Sequence, residues 1–412
     1  MEVSLLKIDL YLKSQKEPLS KEIQFTDTSI EICDRLIERL MDGFSFNKQD
    51  VNCCYFLFSA NNISIIIKDY TLSDTVYMKG FINTQSHINL LKCTETNLDI
   101  VGQYMIDTMQ VNSNKLLIGH CSIGELTVGT PNDMTKPPEV NNFTDVDSID
   151  IRECTIEKLR VNVKTQRLNI QGTKIKQAII GNISRGNKKI GQLHIWENTY
   201  LQALKLFAQF ELVKIDDAKI DNIYAQGDGC IEDIIIVNSI IDYAFRFSEN
   251  FFCDNCDKTE KWMLIEKSAN SDGNVELRAH ANYKMLNKRI NGLKWYKRIP
   301  QYFLKATTGF GYKPFRIFIF AAILILVFSI VICITGSFYP LIESSSVFVW
   351  SSFSNSLYNI GESILLSSSA FVGSFYGVMQ ILGIKIIALF ETAFGIICLA
   401  MFVNALYIKY GK

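Results

Sequence analysis

The chain has 412 residues, room for two or three domains and a sizeable core. Its 42 Lys and Arg cancel its 42 Asp and Glu, so net charge points neither to nucleic acid nor to an acidic ligand. The placement is uneven: residues 278–316 hold ten bases and no acid, and the next acid after Glu276 is Glu343. A one-sign block directly before an apolar stretch is the pattern of a cytoplasmic membrane flank.

The N-terminal stretch MEVSLLKIDLYLKSQKEPL alternates charges with hydrophobes and carries no apolar run followed by a small-residue cleavage site. No secretory signal is read there, and the bulk of the chain is expected in the cytosol. In that reducing compartment the eleven cysteines are expected as free thiols. Residues 1–115 read as a mixed, β-rich region with one helix near 29–41, where Ile30, Ile32, Leu36 and Leu40 form an incomplete stripe.

From residue 116 a different register begins. Leu116, Ile118, Cys121, Ile123, Leu126 and Val128 follow one another by steps of two and three, and all are apolar. The same steps recur in Ile149, Ile151, Cys154, Ile156, Leu159 and Val161, then in Leu168, Ile170, Thr173, Ile175, Ala178 and Ile180. They return in Val213, Ile215, Ala218, Ile220, Ile223 and Ala225, and in Gly229, Ile231, Ile234, Ile236, Ser239 and Ile241. Steps of two put helical side chains on opposite faces, and steps of three would flip the face of a straight strand. A chain that runs extended and turns a corner every five residues satisfies both, which predicts a right-angled β-solenoid over 116–256. The small first residue of each pair (Cys121, Cys154, Thr173, Ala218, Gly229, Ser239) and the aliphatic that follows resemble the pentapeptide-repeat family, with isoleucine often in place of its leucine or phenylalanine.

Interruptions of that register have their own readings. Residues 129–145, with three prolines and many turn formers, predict an extruded loop. Residues 197–212 place Leu201, Leu204, Phe207 and Ala208 at helical spacing and predict a short helix on an edge. The CDNC at Cys253 and Cys256 lacks a second ligand pair, with His280 the only imidazole nearby, so a metal is rejected in favour of small residues in the last solenoid coil. Four scattered histidines, with no phosphate loop and no dinucleotide fingerprint, point away from an enzyme and name no cofactor.

A basic helical connector is expected over 257–316, followed by a membrane module over 317–412. Residues 317–335 carry no charge and 386–408 only Glu391, so two spans are predicted at 317–338 and 386–408. Between Arg316 and Lys385 there is no Lys or Arg, which sets both termini in the cytoplasm of a multi-pass protein. Residues 346–383 carry only Glu362, too apolar for a soluble loop and too polar for a third span. A pore helix near 356–370 with a re-entrant loop at 371–377 fits, provided protein or water satisfies its backbone.

The order span, pore helix, loop, span resembles the two-transmembrane pore-loop module of the potassium-channel superfamily. TTGFGYKPFR, with Gly309, Gly311, Pro314 and Arg316, is similar to the signature before the first span in bacterial members carrying pentapeptide repeats. Residues 283–303 are similar to their basic connector, and ALFETAFGIICLAMFVNAL, with Glu391 and Gly395, to their second span. The resemblance implies a homotetramer in the inner plasma membrane that passes ions, monovalent cations first among them, with the solenoid docking a cytoplasmic ligand or protein. It places the filter on Phe371, Val372, Gly373, Ser374 and Phe375, reached through Ser369 and Ala370. Only the valine–glycine pair of the family's filter is kept, and Phe375 stands where a glycine is needed, so potassium selectivity is not carried over. Glu391 is expected to hydrogen-bond the pore helix of its own or a neighbouring subunit, with direct ion binding the alternative. Asn404 could line a cytoplasmic mouth or bridge helices. A decayed, non-conducting module that anchors an interaction scaffold is the rival reading.

Overall fold

The computed structural model describes residues 4–410 except 27, 43, 45, 60–61, 81–85, 95–96, 130–144, 182–188, 226, 228, 312, 339–346, 349, 351–352 and 375–381. The chain separates into two compact units, 1–274 and 275–412. Most of the extruded loop expected at 129–145 lies outside the described residues.

The first unit is a β-solenoid of two long sheets, eleven and ten strands among the described residues. Strands alternate between the sheets, so each pairs in parallel with the strand one coil away: Ser122–Val128 with Thr155–Val161 in one sheet, Asp145–Arg152 with Lys164–Gln171 in the other. The inward side chains of the register, Ile149, Ile151, Ile156, Leu159, Leu168, Ile170, Ile175 and Ile180, are all buried and stack coil on coil. Fully burying such a side chain contributes about 1.5–3 kcal/mol relative to leaving it exposed.

Local geometry explains both steps. Inside the longer strands the ladder passes over one residue: Ile123 pairs with Ile156 and Glu125 with Lys158, leaving Gly124 and Glu157 between them. The extra residue turns the strand so that Ile123 and Leu126 both face inward, three apart. The other step of three spans a corner between the sheets, where one residue takes a left-handed conformation: His120, Glu153, Gly172, Asn198, Asp217 and Asn238 form that column. There the Glu153 amide donates to the Gln171 carbonyl (2.9 Å) and the Asp217 amide to Val237 (3.1 Å), so the corner backbone is satisfied by the next coil. The residue after each corner is the small one. Where it is Thr or Ser its hydroxyl accepts the equivalent amide of the coil before, from Cys154 to Thr173 Oγ1 (3.3 Å) and from Ala218 to Ser239 Oγ (3.1 Å).

Three expectations are corrected here. Residues 1–115 are no separate fold: their strands enter the same two sheets, and Asn97–Val101 pairs directly with Lys115–Gly119 across the expected boundary. The helix foreseen at 29–41 shrinks to α1 (Asp34–Leu40), preceded by a strand at Ser29–Ile32. Residues 197–212 are not helical. They form Thr199–Leu206 and the start of Gln209–Asp216, because Leu201, Leu204 and Leu206 also satisfy the two-and-three register and coils on both sides supply ladder partners.

The ends of the stack are closed differently. At the start, Ser4–Leu12 pairs antiparallel with both Leu19–Phe25 and Val51–Ser59. Nearby, Asp34 accepts hydrogen bonds from the Thr71 amide (2.8 Å), the Thr71 hydroxyl (2.5 Å) and the Leu72 amide (3.3 Å). Burial pushes its carboxyl up, but the Thr71 bonds and the Lys48 ammonium outweigh that and hold it below the usual carboxylate range. At the far end Phe247, Phe251, Phe252 and α2 (Thr259–Ser271), through Trp262, Leu264 and Ile265, cover the last coil. Cys253 follows Phe252, which bridges Ile231 in parallel. The Cys253 amide donates to the Ile231 carbonyl (3.0 Å), which brings Cys253 beside Cys230, and the two form a disulfide with Cα atoms 6.2 Å apart where free thiols are expected. Cys256 remains a buried free thiol.

The second unit is helical: α3 (Val275–Asn291), α4 (Trp295–Thr308), α5 (Phe315–Gly336), α6 (Phe353–Phe371) and α7 (Leu382–Tyr410). The basic connector is thus α2, α3 and α4 in succession. Within α5 and α7, Phe315–Gly336 and Lys385–Tyr407, of 22 and 23 residues, are long and apolar enough to cross a membrane.

Candidate functional site

The site is built where α6 lies against α5 and α7. Along α6, Asn359, Ser363, Leu366, Ser367 and Ala370 recur at three- and four-residue spacing and are buried, whereas Phe353, Leu357, Tyr358, Ile364 and Leu365 are exposed. Small and polar groups therefore face the neighbouring helices, and large apolar groups face out. In water this pattern would be inverted; in lipid it is how helices approach closely.

Two polar contacts tie the three helices together. The Ser367 hydroxyl lies 2.9 Å from the Ile325 carbonyl of α5 and hydrogen-bonds Glu391 Oε1 of α7. Glu391 is fully buried, and its Oε2 has no partner among the described residues. One turn nearer the end of α6, the Thr392 hydroxyl lies 2.6 Å from the Ala370 carbonyl and 2.9 Å from its own helix at Ala388. Gly395 makes the approach possible: a Cβ there would sit 1.8 Å from the Phe371 carbonyl oxygen. The packing continues through Ile332, Leu366, Ala370 and Ala388, and separately through Ile317, Cys398 and Ala405.

The residues matched to a filter divide at the end of α6. Ser369, Ala370 and Phe371 form its last turn. Val372, Gly373 and Ser374 close it: the Gly373 amide donates to the Ala370 carbonyl (2.9 Å), the Ser374 amide to Ser369 (2.8 Å), and Gly373 has φ +76. These two bonds and a left-handed glycine make a Schellman cap, which consumes carbonyls the helix leaves open. Val372 is 79% exposed. Phe375 lies outside the described residues. Glu362 is half-buried on α6 and bonded to the Tyr358 phenol one turn earlier, and Asn404 is exposed on α7.

The connector motif forms the α4–α5 hairpin. Gly309, Phe310 and Gly311 all take positive φ, so the chain reverses within three residues. Gly309 and Gly311 adopt this freely, while Phe310 is held there at a cost of about 1–2 kcal/mol. The Thr308 hydroxyl accepts the Gly311 amide (3.0 Å), Pro314 stands at the N-cap of α5, and the Arg316 guanidinium reaches back to the Lys305 carbonyl (3.4 Å).

Sequence reasoning singled out Glu391 and Gly395 but not Ser367, which bonds Glu391 from α6, or Thr392, which bonds the Ala370 carbonyl from α7. The signal available was the four-residue spacing of Asn359, Ser363 and Ser367. No protein-family model matches the chain, and no curated protein and no solved structure matches it.

Proposed function

We propose that the chain is a pore-forming membrane protein, a homotetramer that conducts monovalent cations with weak selectivity. Its cytoplasmic solenoid docks a ligand or protein and acts on the pore through α3 and α4. The observation that carries this reading is α6: a helix with Asn, Ser and Glu between two helices of spanning length, packed on both by small residues and a buried carboxylate. Backbone in a bilayer is tolerated there only where protein or a water-filled cavity satisfies it, and four copies around an axis supply such a cavity. The basic block before α5 and the lysines after α7 support a multi-pass protein of the inner plasma membrane with both termini cytoplasmic.

Counting copies tests it: native mass measurement in nanodiscs should give four chains per disc, and one or two would contradict the proposal.

One observation favours the second reading, a membrane-anchored scaffold with a silent module. The valine–glycine pair matched to the filter is spent on capping α6, and Phe375 replaces the next glycine. Changing Ser374 to Tyr and Phe375 to Gly separates the two. Potassium current in that variant implies an intact tetrameric frame, and a tetramer that stays silent favours the scaffold.

A further inference from the structure

Helix α4 presents a surface that no described residue covers. Trp295, Ile299, Tyr302 and Ala306 fall on one stripe by their four- and three-residue spacing. Trp295 is 74% and Ile299 60% exposed, with Tyr296, Tyr302 and Phe303 about half exposed beside them. Lys294, Arg298 and Lys305 run along one flank of that stripe, Lys297 lies farther round, and the helix holds no acid. On a surface helix of a globular protein the apolar stripe turns inward. Here it turns out, with cations along one flank.

The position of α4 says what covers it. The Phe303 ring packs edge-on against Phe320 of α5 at 5.5 Å, and the Gly309–Gly311 turn holds the end of α4 beside the first turns of that apolar helix. A helix with aromatic side chains on one face and lysines along its edge, fixed where a span enters the bilayer, fits the headgroup boundary. There Trp and Tyr rings reach the acyl region while Lys stems extend to phosphates. With ten bases and no acid over 278–316, the complementary leaflet is anionic.

We propose that α4 is an interfacial helix that binds the anionic lipid of the cytoplasmic leaflet through Trp295, Ile299 and Tyr302 inserted and Lys294, Lys297 and Lys305 on phosphate. Arg298 is engaged otherwise, donating to the carbonyls of Leu293 (2.5 Å) and Asn291 (2.8 Å), where it closes the α3–α4 turn. The inference rests on the membrane reading of α5 and α7 but not on conduction.

The test uses the full chain reconstituted in vesicles of equal phosphatidylcholine and phosphatidylglycerol, with bromine on the acyl chains of one lipid at a time. The fluorescence difference between wild type and Trp295→Phe isolates Trp295. Its contribution should fall about two-fold or more with brominated lipid, and quenching by brominated phosphatidylglycerol should exceed that by brominated phosphatidylcholine about two-fold. The triple variant K294Q/K297Q/K305Q should bring that ratio toward one. Quenching of Trp295 by aqueous acrylamide but not by bromine, shielding from both, or equal quenching by the two lipids in wild type would each overturn the proposal. Failure of wild type to float with vesicles after alkaline extraction would overturn it together with the membrane reading, whereas a water-exposed Trp295 in a floating protein removes the interfacial helix alone.

Discussion

The interior of the solenoid and the interior of the α5–α7 module are packed by opposite rules. In the solenoid, isoleucine, leucine and valine fill the inside and lysine, glutamate and aspartate stand outside, as in the Lys189–Glu211 (2.7 Å) and Lys176–Glu157 (2.6 Å) ion pairs. In the module Ser363, Ser367, Asn359 and Glu391 are inside, while Ile319, Ile323, Leu326 and Ile330 of α5 point out. Burial of apolar surface drives assembly only where the outside is water. The inversion supports the proposal that one chain is written for two solvents, with the change after the basic helices.

Substitutions can break or sharpen that contrast. The largest effect is expected at Gly395, where alanine places a methyl carbon inside the Phe371 carbonyl. Gly395→Ala should destabilise the module by about 3 kcal/mol or more, read as a lower unfolding temperature in detergent. Next comes a matched pair of isoleucines. Ile175→Ala, in the solenoid core, should cost about 2–5 kcal/mol in denaturant unfolding, whereas Ile323→Ala on the outside of α5 should cost under about 1 kcal/mol. Equal losses at the two sites would refute the inversion.

A smaller effect is expected at Asp34. Removing its carboxylate in Asp34→Ala leaves two amides and a hydroxyl short of an acceptor and should cost about 1–3 kcal/mol. Because the folded carboxyl is held below its ordinary value, its contribution is fully present above about pH 4 and is lost as pH falls through the folded pKa. The variant should therefore lose less stability than wild type on acidification, measured by urea midpoints across that range. The smallest is Gly373→Ala, about 1 kcal/mol, since only the left-handed cap residue is disturbed.

Much of this was legible because the register is local. Steps of two and three identify inward residues wherever the aliphatics are pure, as in 149–180. They extend into residues 1–115 too, through Ile88, Leu91 and Cys93 and through Ile106, Met109 and Val111, but cysteine and methionine blur the pattern there. The corner column hides better: His120, Glu153 and Asn198 share a backbone conformation and no side-chain chemistry. Residues 197–212 fit two periods, and only strand partners a coil away decide between them. The candidate site was half legible. A glutamate and a glycine in an apolar span stand out, whereas their partners Ser367 and Phe371 are fixed by helix packing 24 residues away in each case. The Cys230–Cys253 pair depends on the same kind of closure, across 23 residues.

The central claim, that the inverted module is a pore, is tested most directly by planar-bilayer recording of the purified full chain in anionic lipid with symmetric monovalent salt. The account predicts discrete, cation-carried current steps that disappear in a Gly395→Ala preparation. A wild-type protein that inserts, remains folded and passes no current at any voltage or lipid composition would contradict it.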